Sequence, residues 1–419
     1  MPLSVGSTWT STPAPTPSWR RHSPRSGTGM NFPDGKDAPA VLLGHPATST
    51  EAIPSPCTGG LSMPSTHEKR VLVTGASGFI ASWTQRLLVE QGHDVIGTSR
   101  YEHRPESRFV LGQFDPPLIQ ADSHHATVLR KVVRTHKPDV VIHLDAYVNP
   151  VALRQDPRRA IRQNFLQTVD VLDACRDYGV ARVVFASSVA VLPAIRYQPI
   201  DAAHPLVTHT EGPSGGFYGA AKAASEVFGL TYADSFGLDF RVVRASAVFG
   251  FGMQWPIGIK PLVEGVVRGE EVTVAVHAPP RDYTPVQDAA AIFAAVAVED
   301  DVADRVFYAA TGRPLTDGHT LLDAMWAAFP QARLRVSDEP LDPTGIESRY
   351  RGVIDIEPVR EQLRVRPTFS SLEDALVAYA DHYRSFTSAR SGPAERKLTE
   401  GARFGNSRSF SHLLNEPQM

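Results

Sequence analysis

The chain has 419 residues, a formal net charge of −3 at pH 7 and two cysteines, Cys57 and Cys175. Near-neutral charge with scattered basic residues argues against nucleic acid or an anionic membrane as a partner, and two cysteines cannot build a disulfide framework or a metal cluster, so no metal is expected. No apolar run approaches the ~20 residues that span a bilayer, and a reducing cytoplasm is the expected setting.

Residues 1–68 are rich in Ser, Thr, Pro and Gly and lack apolar periodicity, the composition of a disordered leader. Arg20, Arg21 and Arg25 stand among serines but on no amphipathic face, so an extended reading frame or a tail is favoured over targeting. The globular part is expected to begin near Met63, leaving residues 1–62 dispensable.

The first strong pattern lies at residues 70–100. Val71-Leu72-Val73 is an apolar run suited to a strand buried on both faces. Thr74 and Gly75 end it, and Gly75-Ala76-Ser77-Gly78 opens a helix carrying Ile80, Trp83, Leu87 and Leu88 at helical spacing. After Gly92-His93-Asp94 comes a second strand, Val95-Ile96-Gly97. Strand, glycine turn, helix and strand make one βαβ unit of a dinucleotide-binding sheet. Gly75 permits the tight turn. Gly78 lets a pyrophosphate approach the helix N-terminus, where free N–H groups and the dipole favour anions. Ser77, Phe79 and Ile80 belong to the same cradle, and Ala81 is small enough for the helix to pack on the strand. A ligand-free βα turn would share the local pattern, but the surrounding unit favours nucleotide binding.

The second strand ends at Arg100 rather than at a carboxylate. An acid there would bind the adenosine ribose, whereas an arginine accommodates a 2′-phosphate, so NADP is favoured over NAD. A solvated arginine is the plainer alternative. A third strand is expected over 117–121, ending at Asp122, with a helix over 127–135. Asp139 to Asp145 reads as a buried strand, 151–178 as one long helix, and 182–186 as a strand ending at Ser187-Ser188. This alternation implies a parallel sheet with helices on both faces.

Tyr218 and Lys222 stand four apart on one face of the next helix. A phenol with a pKa near 10 is a poor base at neutral pH, and a nearby ammonium stabilises its phenolate. Such a pair suits proton transfer from a hydroxyl while hydride leaves the same carbon.

With these motifs the chain resembles an extended short-chain dehydrogenase/reductase of the NAD-dependent epimerase/dehydratase type, from about Lys69 to Arg384. The resemblance rests on Thr74-Gly-Ala-Ser-Gly78, Asp122, His143-Leu-Asp-Ala146, Asn164, Ser187-Ser188, Tyr218 with Lys222, Arg244 with Phe249-Gly250, and Arg281-Asp-Tyr-Thr-Pro-Val-Gln-Asp288. It implies Tyr218 as acid/base, Lys222 as the group that lowers its pKa and holds the nicotinamide ribose, and Ser188 (Ser187 as fallback) bonding the reacting oxygen. It also implies Asp122 at the adenine, Asn164 near the nicotinamide, and Asp145 and Ala146 beside the cofactor. Asp145 departs from the family's usual alanine, either as a special contact or as a local adjustment. Dehydratases of the family carry Asp-Glu where this chain has Val189-Ala190, so elimination of water is disfavoured. Reductive epimerases place a cysteine at Ala190, which disfavours that route too.

The fold class expected is α/β: a Rossmann-type doubly wound parallel sheet over 69–250, and a smaller C-terminal α/β substrate lobe over 251–386. The chain can return to the core sheet within that lobe, and a disordered tail is expected over 387–419. In the lobe, a helix is expected over 257–267 and a strand over 272–276. Thr284-Pro-Val-Gln287 fits a capping box with proline at the first helical position. Arg281 is either the contact to a substrate diphosphate or the partner of a local acid such as Asp282. The family's asparagine three residues before Gly250 is Ala247 here. Three functions stay open: an NAD(P)-dependent epimerase of a sugar nucleotide, a one-way dehydrogenase or reductase of a sugar, sugar acid or other small carbonyl compound, and a cofactor-sensing protein without chemistry. The partner is a small molecule, with a homodimer possible.

Overall fold

A computed structural model describes residues 68–121, 125–209, 211–255, 258–339 and 352–390. Asp122, the leader and the tail beyond Arg390 lie outside the described residues, and with them the expected adenine contact. The first half contains β1 (Arg70–Thr74), α1 (Phe79–Glu90), β2 (Asp94–Ser99), α2 (Pro105–Leu111), β3 (Leu118–Gln120), α3 (Ala126–His136) and β4 (Val140–His143). It continues through α4 (Pro150–Gln155), α5 (Pro157–Ala160), a π-helical stretch Ile161–Leu166, α6 (Gln167–Tyr178), β5 (Arg182–Ser188), α7 (Gly216–Phe236) and β6 (Asp239–Ala245). The second half holds β7 (Ala247–Phe249), α8 (Ile259–Val267), β8 (Val272–Ala275), β9 (Tyr283–Pro285), α9 (Val286–Val298), β10 (Val306–Ala309), α10 (Gly318–Ala328), β11 (Leu334–Ser337), α11 (Glu357–Glu361) and α12 (Leu372–Arg390).

Seven strands form one sheet in the order β10-β6-β5-β4-β1-β2-β3, with every neighbouring pair parallel. The expected doubly wound α/β sheet is therefore present. Alternation along each strand sends Val71 and Val73 into a core shared with α1 and α9, and Leu72 into the opposite core with α3 and α6. Chain order reverses between β1 and β4, which opens a crevice at the carboxyl ends of these two strands. Trp83 turns away from the sheet into the C-terminal lobe, where its Nε1 donates to the Phe251 carbonyl at 3.0 Å. Among the described residues no helix is long and apolar enough to cross a membrane.

Three expectations are corrected. The helix expected over 151–178 is four segments. Asp156 leaves helical geometry, Pro157 restarts the helix at its first position, and the stretch 161–166 widens to π geometry. The capping box at 284–287 does not form: Pro285 precedes a helix starting at Val286, and the Thr284 hydroxyl donates to Asp282 at 2.7 Å. The helix begins one residue later than expected, with Pro285 at its N-cap, so Thr284 stands outside the capping position. Finally, α12 runs to Arg390, past the expected tail boundary at 387.

Candidate active site

The glycine turn sits at the crevice. Gly75 has φ +67, and a Cβ there would lie 2.9 Å from the Asp145 backbone, so both conformation and space call for glycine. Gly78 is the N-cap of α1, which has no side-chain cap and no acid in its first turn. That arrangement fits an anionic pyrophosphate. Ser77 is turned aside, its hydroxyl paired with that of Ser99 at 2.7 Å, which ties the turn to the end of β2. Phe79 and Ile80 are half-buried on the first turn, and Arg100 lies with its guanidinium 5.5 Å from the Tyr101 ring centre.

Across the crevice, Thr74 and His143 join β1 to β4 through a 2.8 Å hydrogen bond. Asp145 and Ala146 are half-buried just beyond. The Asp145 amide donates to Thr74 Oγ1 at 3.4 Å, and its Oδ2 accepts from Gln167 Nε2 at 2.8 Å. Asn164 is buried in the π stretch, where both ends of its amide engage the Tyr147 backbone: Oδ1 accepts from the amide at 2.8 Å and Nδ2 donates to the carbonyl at 2.9 Å. Its side chain thus shapes the loop after β4.

Ser188, Tyr218 and Lys222 come from the end of β5 and the first turns of α7. Lys222 is 2 % exposed, its Nζ donating to the Ala186 carbonyl at 2.6 Å and lying 5.9 Å from the Tyr218 ring centre. Burial pushes this amine down to about 8, while the charges of Asp145 and Glu226 work against the fall. Strand alternation separates the two serines. Ser187 is buried and donates to Glu226, whereas half-buried Ser188 accepts from the Ala190 amide at 3.2 Å. The geometry favours Ser188 over its fallback.

A buried network under the site has no counterpart in the sequence reading. Glu226, fully buried, binds Arg244 at 2.8 Å, and Arg244 Nη1 donates to the Tyr308 hydroxyl at 2.8 Å, locking α7, β6 and β10 together. A second missed feature is the seat of α7. A Cβ at Gly219 would lie 2.1 Å from the Ala190 carbonyl oxygen, and one at Gly215 would lie 2.4 Å from the Ala190 Cβ. Glycines just before and after Tyr218 therefore let the helix rest directly on position 190; their clustering in Ser214-Gly-Gly-Phe-Tyr-Gly219 was the available signal. Beyond β5 lies a pocket lined by Val189, Leu192, Ser246, Ala247, Arg281 and Ile354, among others. Arg281 is half-buried there and exchanges backbone hydrogen bonds with Thr316. The Asp282 carboxylate is engaged by Ser246, Thr284 and Thr311.

A model of the NAD dependent epimerase/dehydratase family matches residues 71–309, over half the chain. The CapI protein of Staphylococcus aureus is 26% identical over 233 residues, 52% of this chain and 66% of that protein. The UDP-glucose 4-epimerase of Mycolicibacterium smegmatis is 29% identical over 195 residues, 43% of this chain and 56% of that protein. The chain thus spans about half to two thirds of the length of these relatives. A solved structure of UDP-glucose 4-epimerase from Thermus thermophilus, in complex with NAD, shares the fold with a TM-score of 0.61 at 26% identity, covering 75% of this chain and 99% of that one. The sheet, the glycine turn, the Tyr218–Lys222 helix and this family match agree: the chain belongs to the NAD dependent epimerase/dehydratase family of enzymes.

Proposed function

We propose that this chain is an NAD(P)-dependent oxidoreductase of the epimerase type, acting at a carbinol or keto carbon of a sugar nucleotide. The observation that carries the reading is the buried Lys222, anchored on Ala186 beneath Tyr218, at the carboxyl edge of a sheet whose crevice begins with an uncapped glycine turn. Relatives named as UDP-glucose 4-epimerases support the substrate class.

The cofactor's pyrophosphate would be held by the turn from Gly75 to Gly78, with Phe79 and Ile80 on the helix behind it. A bound nicotinamide supplies hydride uptake and return. Tyr218 takes the proton of the reacting hydroxyl and returns it, and Lys222 stabilises the phenolate with its charge. Ser188 holds the same oxygen through its hydroxyl. Arg281 offers a fork for a diphosphate at the pocket. Val189 and Ala190 are buried side chains without acid or thiol, which supports the absence of dehydratase chemistry. Arg100 supports NADP beside NAD, and a cytoplasmic setting with a small-molecule partner completes the reading.

One observation favours the one-way dehydrogenase as second reading: the pocket around Arg281 has aliphatic walls, with Ala247 at the position of the family's asparagine. The two separate in one assay. UDP-hexoses, free sugars and sugar acids are each incubated with enzyme and NAD or NADP, and product stereochemistry is read beside nicotinamide absorbance. An epimerase interconverts stereoisomers with no net change in cofactor. Reduced cofactor accumulating in step with product would instead establish the dehydrogenase.

A further inference from the structure

Resting on the reading of the turn from Gly75 to Gly78 as the seat of the cofactor's diphosphate, we propose that Gln85 is a positioning residue that sets this turn from beneath. Glutamine is mostly a surface residue, yet Gln85, in the second turn of α1, is 0 % exposed. Its Nε2 donates to the Ala76 carbonyl at 2.8 Å and to the Ala81 carbonyl at 3.1 Å. Those two carbonyls fix which end of the amide is nitrogen, since an oxygen there would face two acceptors. Oε1 lies instead beside β2, where a Cβ at Gly97 would come within 2.7 Å of it and 2.7 Å of the Ala76 Cβ. Gly97 thus leaves the room in which the amide and the turn meet.

The contact acts on one residue of the turn. The Ala76 amide donates to the Thr98 carbonyl at 3.1 Å, so Ala76 is tied to β2 through its N–H and to α1 through its carbonyl. In a trans peptide the carbonyl and the following N–H point opposite ways. Holding the Ala76 carbonyl against α1 therefore turns the Ser77 N–H outward from the packed interior, the direction from which an anion would come. The Ser77 hydroxyl is already committed to Ser99 at 2.7 Å, so its backbone is what this residue offers a ligand. Packing alone does not account for the amide. Gln85 Oε1 meets no donor among the described residues, and a methionine would fill the space with no acceptor left unmatched. What the amide adds over an apolar side chain is its hold on the turn.

The test is Gln85→Met in the full chain, which removes the donor at nearly constant volume. Two quantities are read: dissociation constants of NADH and NADPH by fluorescence titration, and amide hydrogen exchange over residues 74–79 by mass spectrometry. The variant should melt within about 4 °C of wild type. It should bind both cofactors about tenfold more weakly, because both carry the diphosphate and the turn no longer waits in the bound geometry. Exchange over 74–79 should quicken while β4 and α7 keep their wild-type rates. Unchanged affinity in a folded variant overturns the proposal. A variant that fails to fold overturns it too, by assigning Gln85 to the core. The functional reading fails separately: wild-type protein that binds neither cofactor rejects the crevice as a dinucleotide site, and exchange over 74–79 then decides whether Gln85 holds the turn.

Discussion

At the amino edge of the sheet, Arg182 gives its Nε to Asp239 at 2.6 Å and its Nη1 to the carbonyls of Ala297 and Glu299, both at 2.8 Å. Arg241 adds bonds to Asp239 at 3.0 Å and to Glu299 at 3.1 Å. Two buried arginines thus close the carboxyl end of α9, where free carbonyls and the helix dipole favour cations. At the carboxyl edge, Lys222 is buried just as deeply but donates to one backbone carbonyl, with Asp145 and Glu226 as partial compensation. Charges at the first edge are matched and hold the fold together. The charge at the second edge is held at some cost to stability, and that tension suits the role proposed for Lys222, stabilising the Tyr218 phenolate. On the proposed function, the same sheet divides stability and chemistry between its two ends.

The largest expected effect breaks the amino edge. Arg182→Ala removes a buried partner of Asp239 and uncaps α9, and should cost about 3–5 kcal/mol by urea unfolding. Turnover per folded molecule should stay near wild type. A stable variant with lost activity would mean that the two edges are not separable.

Lys222→Met is the converse at the carboxyl edge. The folded value of about 8 lies below the amine's ordinary 10.5. Between these two values the unfolded chain binds more protons, so the wild type gains stability as pH rises through that window. Below it the burial penalty is fully present. Lys222→Met should therefore be more stable than wild type at pH 7, by at most about 3 kcal/mol. The advantage should shrink from about pH 8 upward while activity and cofactor binding are impaired throughout. Melting curves at pH 7 and pH 10 check the sign, and a variant less stable at pH 7 would contradict the account.

Arg100→Ala is the smallest change and sharpens the cofactor reading. Loss of a charged contact to a 2′-phosphate is worth about 1.5–3 kcal/mol, roughly ten- to a hundredfold in NADPH affinity. NADH affinity should not move. Equal effects on both cofactors, in fluorescence titrations, would remove Arg100 from phosphate recognition.

How far the sequence showed all this depends on the range of the physics. The turn from Gly75 to Gly78 and the pair Tyr218–Lys222 were legible because their signals are local: β-branched runs, a glycine at positive φ, and a four-residue helical spacing. Val71 to Val73 read as a doubly buried strand for the same reason. The helix expected over 151–178 passes over Pro157, which lies in the polar run 154–159 and supplies the break. The cap expected at Thr284 fails because the helix starts at Val286, and the Thr284 hydroxyl instead joins Asp282, whose reach to Ser246 and Thr311 no local pattern records. Glu226 shows the limit clearly. Its partners, Ser187 and Arg244, stand on separate strands of the sheet, so only the folded register brings them together. The burial of Ser187 against that acid, with Ser188 on the opposite face of the strand, likewise follows from strand alternation and not from local sequence.

The central claim is that the carboxyl edge does chemistry through Tyr218, and Tyr218→Phe tests it most directly. The change removes one hydroxyl and keeps the ring beside Lys222, so the melting temperature and cofactor binding should match wild type. Turnover on whichever sugar nucleotide or small carbonyl compound the wild type accepts should fall by about 10²–10⁴-fold. Near-normal turnover in a folded, cofactor-binding Tyr218→Phe protein would contradict the account.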